Sequence, residues 1–233
     1  QLSHVGDMNE MQSSQSVQRE NGSRAASSWV TVTEPAELTA IYREGINVCH
    51  FPRQLDPSAA RFASEVLAAQ DFEKVLTVST ADIKLAGLLP AESADAAVFL
   101  ADVHELIEMY AELLGASTLG VRVCSLHQAM CPRFHFDRVL VRLVCTYQGP
   151  GTQWLDAHDV DRSKLGAGAG GLADEASGLI RRAGAVQSAS LHAVCLLKGS
   201  AWPGNEQTPA IHRSPPLLPT DARRVLLTIE SLS

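Results

Sequence analysis

Residues 131–155 read CPRFHFDRVLVRLVCTYQGPGTQWL, and this stretch decides how the rest of the sequence is interpreted. It contains the triplet His135-Phe136-Asp137, then a β-branched apolar run, then a Gly/Pro-rich turn, which is typical of a strand that ends in a tight turn. Residues two apart on a strand point to the same face. We therefore expect His135 and Asp137 to project together and to converge on one metal ion.

A third metal ligand has to come from a distant part of the chain. His212, in the segment AIHRSPP, is the candidate, and it lies 77 residues after His135. Two imidazoles and one carboxylate form the facial triad of non-haem Fe(II) oxygenases, which leaves positions open for a keto-acid and dioxygen. Because HxD triplets also recur by chance, a surface strand with one buried histidine is the alternative interpretation.

The last apolar run supplies a candidate for binding the co-substrate. Arg224 opens this run and shares strand parity with Thr228, so both side chains are expected inside a barrel. An arginine there would hold the distal carboxylate of 2-oxoglutarate through two parallel hydrogen bonds. Arg223 competes for the same role.

The alternation of side chains along the predicted strand also assigns the other residues near the triplet to one face or the other. Arg133 shares the face of His135 and Asp137, so it is a candidate for binding an acidic substrate or for pairing with surface carboxylates. Arg142 falls on the opposite face. Cys131 would share the face of His135 but lie about 13 Å away, unless a turn brings it back to the site.

The segment TYQGPGTQWL resembles the strand and glycine turn that follow HxD in prolyl-hydroxylase-like enzymes. Together with the triad and the arginine, residues 119–230 resemble the 2-oxoglutarate/Fe(II) dioxygenase superfamily. This resemblance implies a double-stranded β-helix, Fe(II) with 2-oxoglutarate as cofactors, and a hydrogen bond from Tyr147 to the co-substrate. The glycine that usually precedes the arginine is absent, and an unusual Cys-Pro precedes HxD.

A closer resemblance covers nearly the whole chain after its N-terminal tail. The motifs CPRFHFD, RLVCTYQGPGTQWL, DVDRSK, DEASGLIRRAG, LLKGSAWPGN and HRSPP occur in order and are similar to the uncharacterised family called domain of unknown function 1826. This resemblance implies kinship but brings no established activity.

The order of the predicted elements indicates an α+β fold. We expect a double-stranded β-helix (jelly-roll, cupin-like) core braced by helices from the N-terminal half. Residues 1–28 are polar and predict a disordered tail, and residues 29–233 predict a single metal-binding jelly-roll domain. Helices are expected at 34–43, 57–70 and 93–114, and strands at 29–33, 46–53, 74–80, 119–126, 138–147, 190–199 and 223–232.

Composition excludes several classes of function. A net charge of −7 argues against a nucleic-acid partner, and no apolar run is long enough to span a membrane. Five cysteines without close pairing favour a reducing, cytoplasmic setting. We expect a small molecule or side chain as the substrate, and the sequence specifies no oligomeric state. Because the chain starts at Gln1, we expect that an upstream segment was removed.

Two other functions fit the same residues. A zinc-binding hydrolase or zinc-homeostasis protein would use His135, Asp137 and His212, with or without Cys131, since a thiolate favours zinc. A non-catalytic barrel that binds a small molecule or a protein would keep the ligands only in part.

Overall fold

Two β-sheets and a layer of helices make up the structure, a computed structural model that describes residues 26–218 and 223–232. The large sheet has seven strands and the small sheet has three. In chain order the strands are β1 (Trp29–Thr31), β2 (Val48–Phe51), β3 (Phe72–Ser79), β4 (Thr118–Leu126), β5 (Val141–Gln148), β6 (Gln153–Leu155), β7 (Gln187–Ser188), β8 (Val194–Lys198), β9 (Ile211–Arg213) and β10 (Arg224–Ser231).

The large sheet has the order β1-β2-β8-β5-β10-β4-β3, and its neighbours are antiparallel except β1 and β2. The small sheet has the order β7-β6-β9 and is antiparallel. Side chains alternate between the two faces of the large sheet, as the two-residue period of a strand requires. On β5, Leu143 and Cys145 enter the main core, whereas Val144 faces the small sheet. The predicted α+β class with a large antiparallel sheet is confirmed.

The helices pack on one face of the large sheet and form the main core with it. The principal ones are α1 (Pro57–Phe62) and α2 (Ala94–Leu114), and a π-helical turn at Ala63–Leu67 continues α1. A 3-10 helix spans Pro35–Tyr42, and shorter 3-10 turns span Ala157–Asp159, Arg162–Lys164 and Gly166–Ala169. No helix in the described part of the chain is long and apolar enough to cross a membrane.

Local sequence signals define both ends of helix α2. The Ser93 hydroxyl accepts a hydrogen bond from the Ala96 N–H at 3.0 Å and so caps the first turn. Gly115 ends the helix in the left-handed region, with φ of 64°. Between these ends, an apolar stripe packs towards the large sheet, where the Tyr110 hydroxyl donates to the Val141 carbonyl at 2.7 Å.

The small sheet covers part of the opposite face of the large sheet. A second core lies between the two sheets, and the fully buried Trp154 of β6 is its largest member. A third core joins the β4–β5 loop, the small sheet and the long connection at 156–186, and Phe134 and Leu179 belong to it. This arrangement leaves a cavity between the sheets.

Several predicted boundaries differ from the observed ones. The segment expected as a helix at 34–43 is a 3-10 helix, and the helix expected to reach residue 70 turns π-helical after Phe62. The strand expected from residue 190 begins only at Val194, because His192 has a left-handed φ of 68°. Such a residue interrupts an extended backbone.

The predicted tail falls mostly on residues 1–25, which lie outside the described residues. Its last residues are part of the folded chain. Ser28 is buried, and its hydroxyl accepts a hydrogen bond from the Ala157 N–H at 2.8 Å. The Ser27 hydroxyl donates to Asp156 at 2.5 Å.

Candidate metal centre

The HxD triplet lies in the β4–β5 loop, so the prediction that it forms part of a strand is wrong. Pro132 has no N–H to donate to a ladder, and β5 begins only at Val141. Within this loop, His135 forms an isolated antiparallel bridge with His212 of β9. Each residue donates its N–H to the other's carbonyl, at 3.0 and 2.9 Å. The backbone therefore brings the two distant histidines together.

The candidate ligand atoms of His135, Asp137 and His212 all lie within 4.8 Å of one another. Asp137 Oδ2 is 3.2 Å from His212 Nε2, and Asp137 Oδ1 is 3.9 Å from His135 Nε2. The two imidazole centroids are 4.6 Å apart. The three side chains that the sequence predicts as metal ligands therefore lie close together.

Hydrogen bonds orient both imidazoles towards the centre of the cluster. Nδ1 of His135 lies 2.9 Å from the Arg133 carbonyl, and Nδ1 of His212 lies 3.2 Å from the Ala210 carbonyl. A carbonyl only accepts, so each Nδ1 carries a proton, and each Nε2 is the ring nitrogen that faces the cluster. Metal-binding histidines are commonly fixed in this way.

The charges of the cluster suit a cation. Burial alone would raise the pKa of Asp137, but His212, Arg142 and His135 outweigh it and lower that pKa. Burial, together with the nearby His212, lowers the pKa of His135, so its imidazole stays neutral at neutral pH. The buried Oδ2 of Asp137 lies 3.0 Å from Arg142 Nη1 and 3.2 Å from His212 Nε2, but neither contact has hydrogen-bond geometry. An ionised carboxylate beside two imidazoles is a donor set that a divalent cation would complete.

Arg224 lies at the deep end of the same cavity. It is 1% exposed, and its guanidinium donates to the hydroxyls of Thr152, Thr146 and Ser214 at 2.7, 3.2 and 3.3 Å. Its Nε has no partner among the described residues. Burial lowers the pKa of Arg224 to about 10. Arg223 instead points outwards and pairs with the exposed Asp71.

The cavity that joins these groups has a volume of about 300 Å³. Thr228 lines it beside Arg224, as strand parity predicts. Residues of β3 and β4 also line it, and the exposed Val75 of β3 is one of them. The remaining lining residues are Gly120, Arg122, Met130, Cys131, His135, Arg142, Val144, Thr152, His212, Arg213, Ser214, Leu226 and Glu230.

Tyr147 lies outside this cavity, against the expectation that it binds the co-substrate. Its side chain belongs to the main core on the helix side of the sheet, and its hydroxyl donates to Asp102 at 2.5 Å. The neighbouring Thr146 instead accepts a hydrogen bond from Arg224 at 3.2 Å. Adjacent residues on a strand face opposite sides, so the two cannot both reach Arg224.

Arg133 and Arg142 lie on the opposite sides of the site from those that strand alternation predicts. Arg133 is half-exposed and its Nε donates to Asp174 at 2.7 Å, so it pairs with a carboxylate, but with a buried one and not with the surface carboxylates expected. Arg142, expected on the opposite face, lines the cavity and has Nη1 3.0 Å from Asp137 Oδ2. Alternation does not carry through the loop that separates the triplet from β5. Cys131 is an exposed free thiol at the cavity and is not part of the three-residue cluster.

A family model described as "Protein of unknown function (DUF1826)" matches residues 32–230. The chain belongs to the DUF1826 family. The kinship predicted from its motifs is thereby confirmed. No curated protein matches this DUF1826 chain significantly in sequence.

Solved structures similar to this DUF1826 protein include a bsmA homolog from Methylobium petroleophilum PM1. The TM-score is 0.50 at 12% identity, with 86% of this chain and 93% of the homolog covered. A second is dioxygenase for auxin oxidation 1 from Arabidopsis thaliana in its 2-oxoglutarate complex, with a TM-score of 0.47 at 9% identity and with 88% of this chain and 92% of that chain covered. A third is a Pseudomonas putida prolyl-4-hydroxylase, with a TM-score of 0.41 at 11% identity and with 84% of this chain and 97% of that chain covered. At these identities the likeness concerns the fold alone.

Two of the hydroxyls around Arg224 in this DUF1826 protein, those of Thr146 and Thr152, were not singled out in the sequence. Thr152 reaches the guanidinium because the turn before it is unusually tight. A side chain at Gly149, where φ is +82°, would meet the Arg224 backbone at 3.1 Å, and one at Gly151 would meet the Ala189 carbonyl at 2.1 Å. The Gly-Pro-Gly motif was the available signal, since such glycines mark close backbone approach.

Proposed function

We propose that this protein is a non-haem Fe(II)/2-oxoglutarate-dependent oxygenase that acts on a small molecule or a side chain, built on a double-stranded β-helix. The observation that carries this proposal is Arg224. It is a buried cation bonded to neutral hydroxyls in the cavity of the histidine–aspartate cluster. A buried charge without a counter-ion is unfavourable, so an anionic ligand is expected to complete it.

The donor set fits Fe(II). His135 and His212 would each contribute a neutral Nε2, and Asp137 would contribute one carboxylate oxygen. Two imidazoles and one carboxylate leave open coordination positions on the metal, as oxygenase chemistry requires. When bound, Fe(II) and 2-oxoglutarate together supply the oxidising chemistry with dioxygen.

The chain's own residues bind and orient the reactants. Arg224 would hold the distal carboxylate of the keto-acid by paired hydrogen bonds, and the hydroxyls of Thr152 and Ser214 would keep its guanidinium in place. Val144 and Leu226 line the same cavity and exclude water from it. Arg142 bridges Asp137 and Glu230, so it restrains the carboxylate while leaving the imidazoles free.

Purification without oxygen, followed by metal analysis and a succinate assay, tests the proposal. We expect iron to bind and 2-oxoglutarate to be converted to succinate. Tightly held zinc without succinate would instead support the zinc-binding alternative, which uses the same three ligands.

Arg224→Ala and Arg223→Ala provide a matched pair for the co-substrate assignment. Arg224→Ala should lose affinity for 2-oxoglutarate while metal content stays unchanged. Arg223→Ala should bind the keto-acid as the wild type does, because Arg223 pairs with Asp71 on the outside. Equal losses in both variants would contradict the assignment.

A further inference from the structure

The segment DEASGLIRR, residues 174–182, begins with a deeply buried carboxylate that has no part in the proposed chemistry. Asp174 is 3% exposed and lies on the long connection between β6 and β7. It accepts hydrogen bonds from Arg133 Nε at 2.7 Å, from the Phe134 N–H at 2.7 Å and from Arg213 Nη1 at 3.5 Å. A carboxylate with three donors from two other segments is a structural junction.

The donors come from residues next to the candidate metal ligands. Phe134 immediately precedes His135, and Arg213 immediately follows His212. The two donors also contact each other, because the Arg213 guanidinium lies 4.3 Å from the centroid of the Phe134 ring. Asp174 therefore connects to the loop and the strand that carry the two imidazoles.

This junction matters because the β4–β5 loop has little regular structure of its own. The loop joins β9 through the bridge at His135 and through a hydrogen bond from the Ser214 N–H to the Cys131 carbonyl at 2.9 Å. Backbone bonds set the register of the two segments but not the direction of their side chains. Asp174 holds the Phe134 N–H, and it shares the Arg213 guanidinium with Glu175 and Gln153, which accept hydrogen bonds at 2.8 and 2.9 Å. Through these contacts it restrains the two residues next to the candidate ligands.

We propose that Asp174 is a positioning residue that holds His135 and His212 at the separation a metal ion needs. This inference rests on the metal centre proposed above. Asp174 does not touch the metal, and it acts through Phe134 and Arg213.

Titration of the full chain with Co(II) in the absence of oxygen tests this role, with affinity and the visible absorption of bound Co(II) as readouts. Asp174→Asn should weaken Co(II) binding about 10- to 100-fold and alter the absorption bands. Circular dichroism should show that the variant is folded. A purely structural role would lower the thermal midpoint and leave the spectrum of bound Co(II) unchanged.

Asp159→Asn is the matched control. Asp159 lies on the same connection and accepts two hydrogen bonds from Arg182, at 2.7 and 3.0 Å, but Arg182 is not adjacent to a candidate ligand. Its Co(II) affinity should equal that of the wild type. Equal losses in Asp159→Asn and Asp174→Asn would overturn the proposal, as would unchanged binding in Asp174→Asn.

Arg133→Met decides the question if Asp174→Asn does not fold. Arg133 is half-exposed, and without it the buried Asp174 keeps the Phe134 N–H and Arg213 as partners. We expect a several-fold loss of Co(II) affinity, partly restored by Arg133→Lys. Unchanged affinity in Arg133→Met would then overturn the role of Asp174. Absence of Co(II) binding in the wild type would instead overturn the metal centre itself.

Discussion

Two buried arginines on opposite faces of the large sheet differ in one respect, the presence of a carboxylate. On the helix side, Arg53 donates to both oxygens of Asp102, which also accepts from the Tyr147 hydroxyl. On the cavity side, the partners of Arg224 among the described residues are hydroxyls. In that part of the chain, Arg53 thus has a carboxylate partner and Arg224 has none.

The pKa values of the two arginines express the same difference. Burial opposes the charge of both side chains. For Arg53, the hydrogen bonds that it donates to Asp102, together with nearby negative groups, outweigh burial and raise the pKa, whereas burial lowers the pKa of Arg224 to about 10. The pKa values therefore separate an arginine that is paired with a carboxylate from one whose described partners are neutral hydroxyls.

Removal of the carboxylate on the helix side should have the largest effect. Asp102→Ala leaves Arg53 buried and unpaired, so we expect it to lower the free energy of unfolding by about 3–5 kcal/mol. Urea denaturation measures this change. A loss below 1 kcal/mol, on the order of a surface pair, would show that the two arginines are equivalent and would break the comparison.

Addition of the missing anion on the cavity side should have the next largest effect. In the presence of Co(II), 2-oxoglutarate at 100 times its Kd should raise the free energy of unfolding by about 2.7 kcal/mol. Thermal unfolding with and without the keto-acid measures the gain. Succinamide, which lacks the carboxylates, is the control and should produce no shift.

Replacement of the unpaired arginine should not destabilise the protein. We expect Arg224→Met to be between neutral and about 2 kcal/mol more stable than the wild type without ligand, because an uncompensated buried charge is removed. The stabilisation by 2-oxoglutarate should disappear in this variant. A large loss of stability in urea would mean that Arg224 serves the fold.

The smallest expected effects come from the adjacent residues of β5. Tyr147→Phe removes a buried hydrogen bond to Asp102, so we expect a loss of about 1–2 kcal/mol in stability and unchanged affinity for 2-oxoglutarate. Thr146→Val removes a partner of Arg224 and should weaken keto-acid binding with little change in stability. Calorimetric titration and denaturation separate these effects, and the reverse pattern would restore Tyr147 to the site.

Strand alternation predicted correctly which side chains face the cavity only where the strand is continuous. Arg224 and Thr228 belong to β10, whose regular pairing with β4 keeps the period of two, and both line the cavity. Alternation failed for Arg142, because a loop separates it from Asp137 and resets the facing of the chain. No local pattern could have shown this reset.

The sequence could predict which residues form the triad, but not the backbone pairing that brings them together. The residue types pointed to a metal site, whereas the bridge between His135 and His212 depends on how distant segments pair. Asp174 illustrates the same limit, since its contacts with Arg133 and Phe134 span about 40 positions along the chain. A motif was visible there, but its partners depended on the tertiary structure.

The main-chain pairing of His135 with His212 has a consequence for how this family can diversify. Reciprocal amide contacts set the register of the two segments, whatever the length of the polypeptide between them. Insertions in the connection between β6 and β7 that keep Asp174 and its contacts would therefore leave the donor geometry intact. The approach to the cavity would then vary in shape while its centre stays the same.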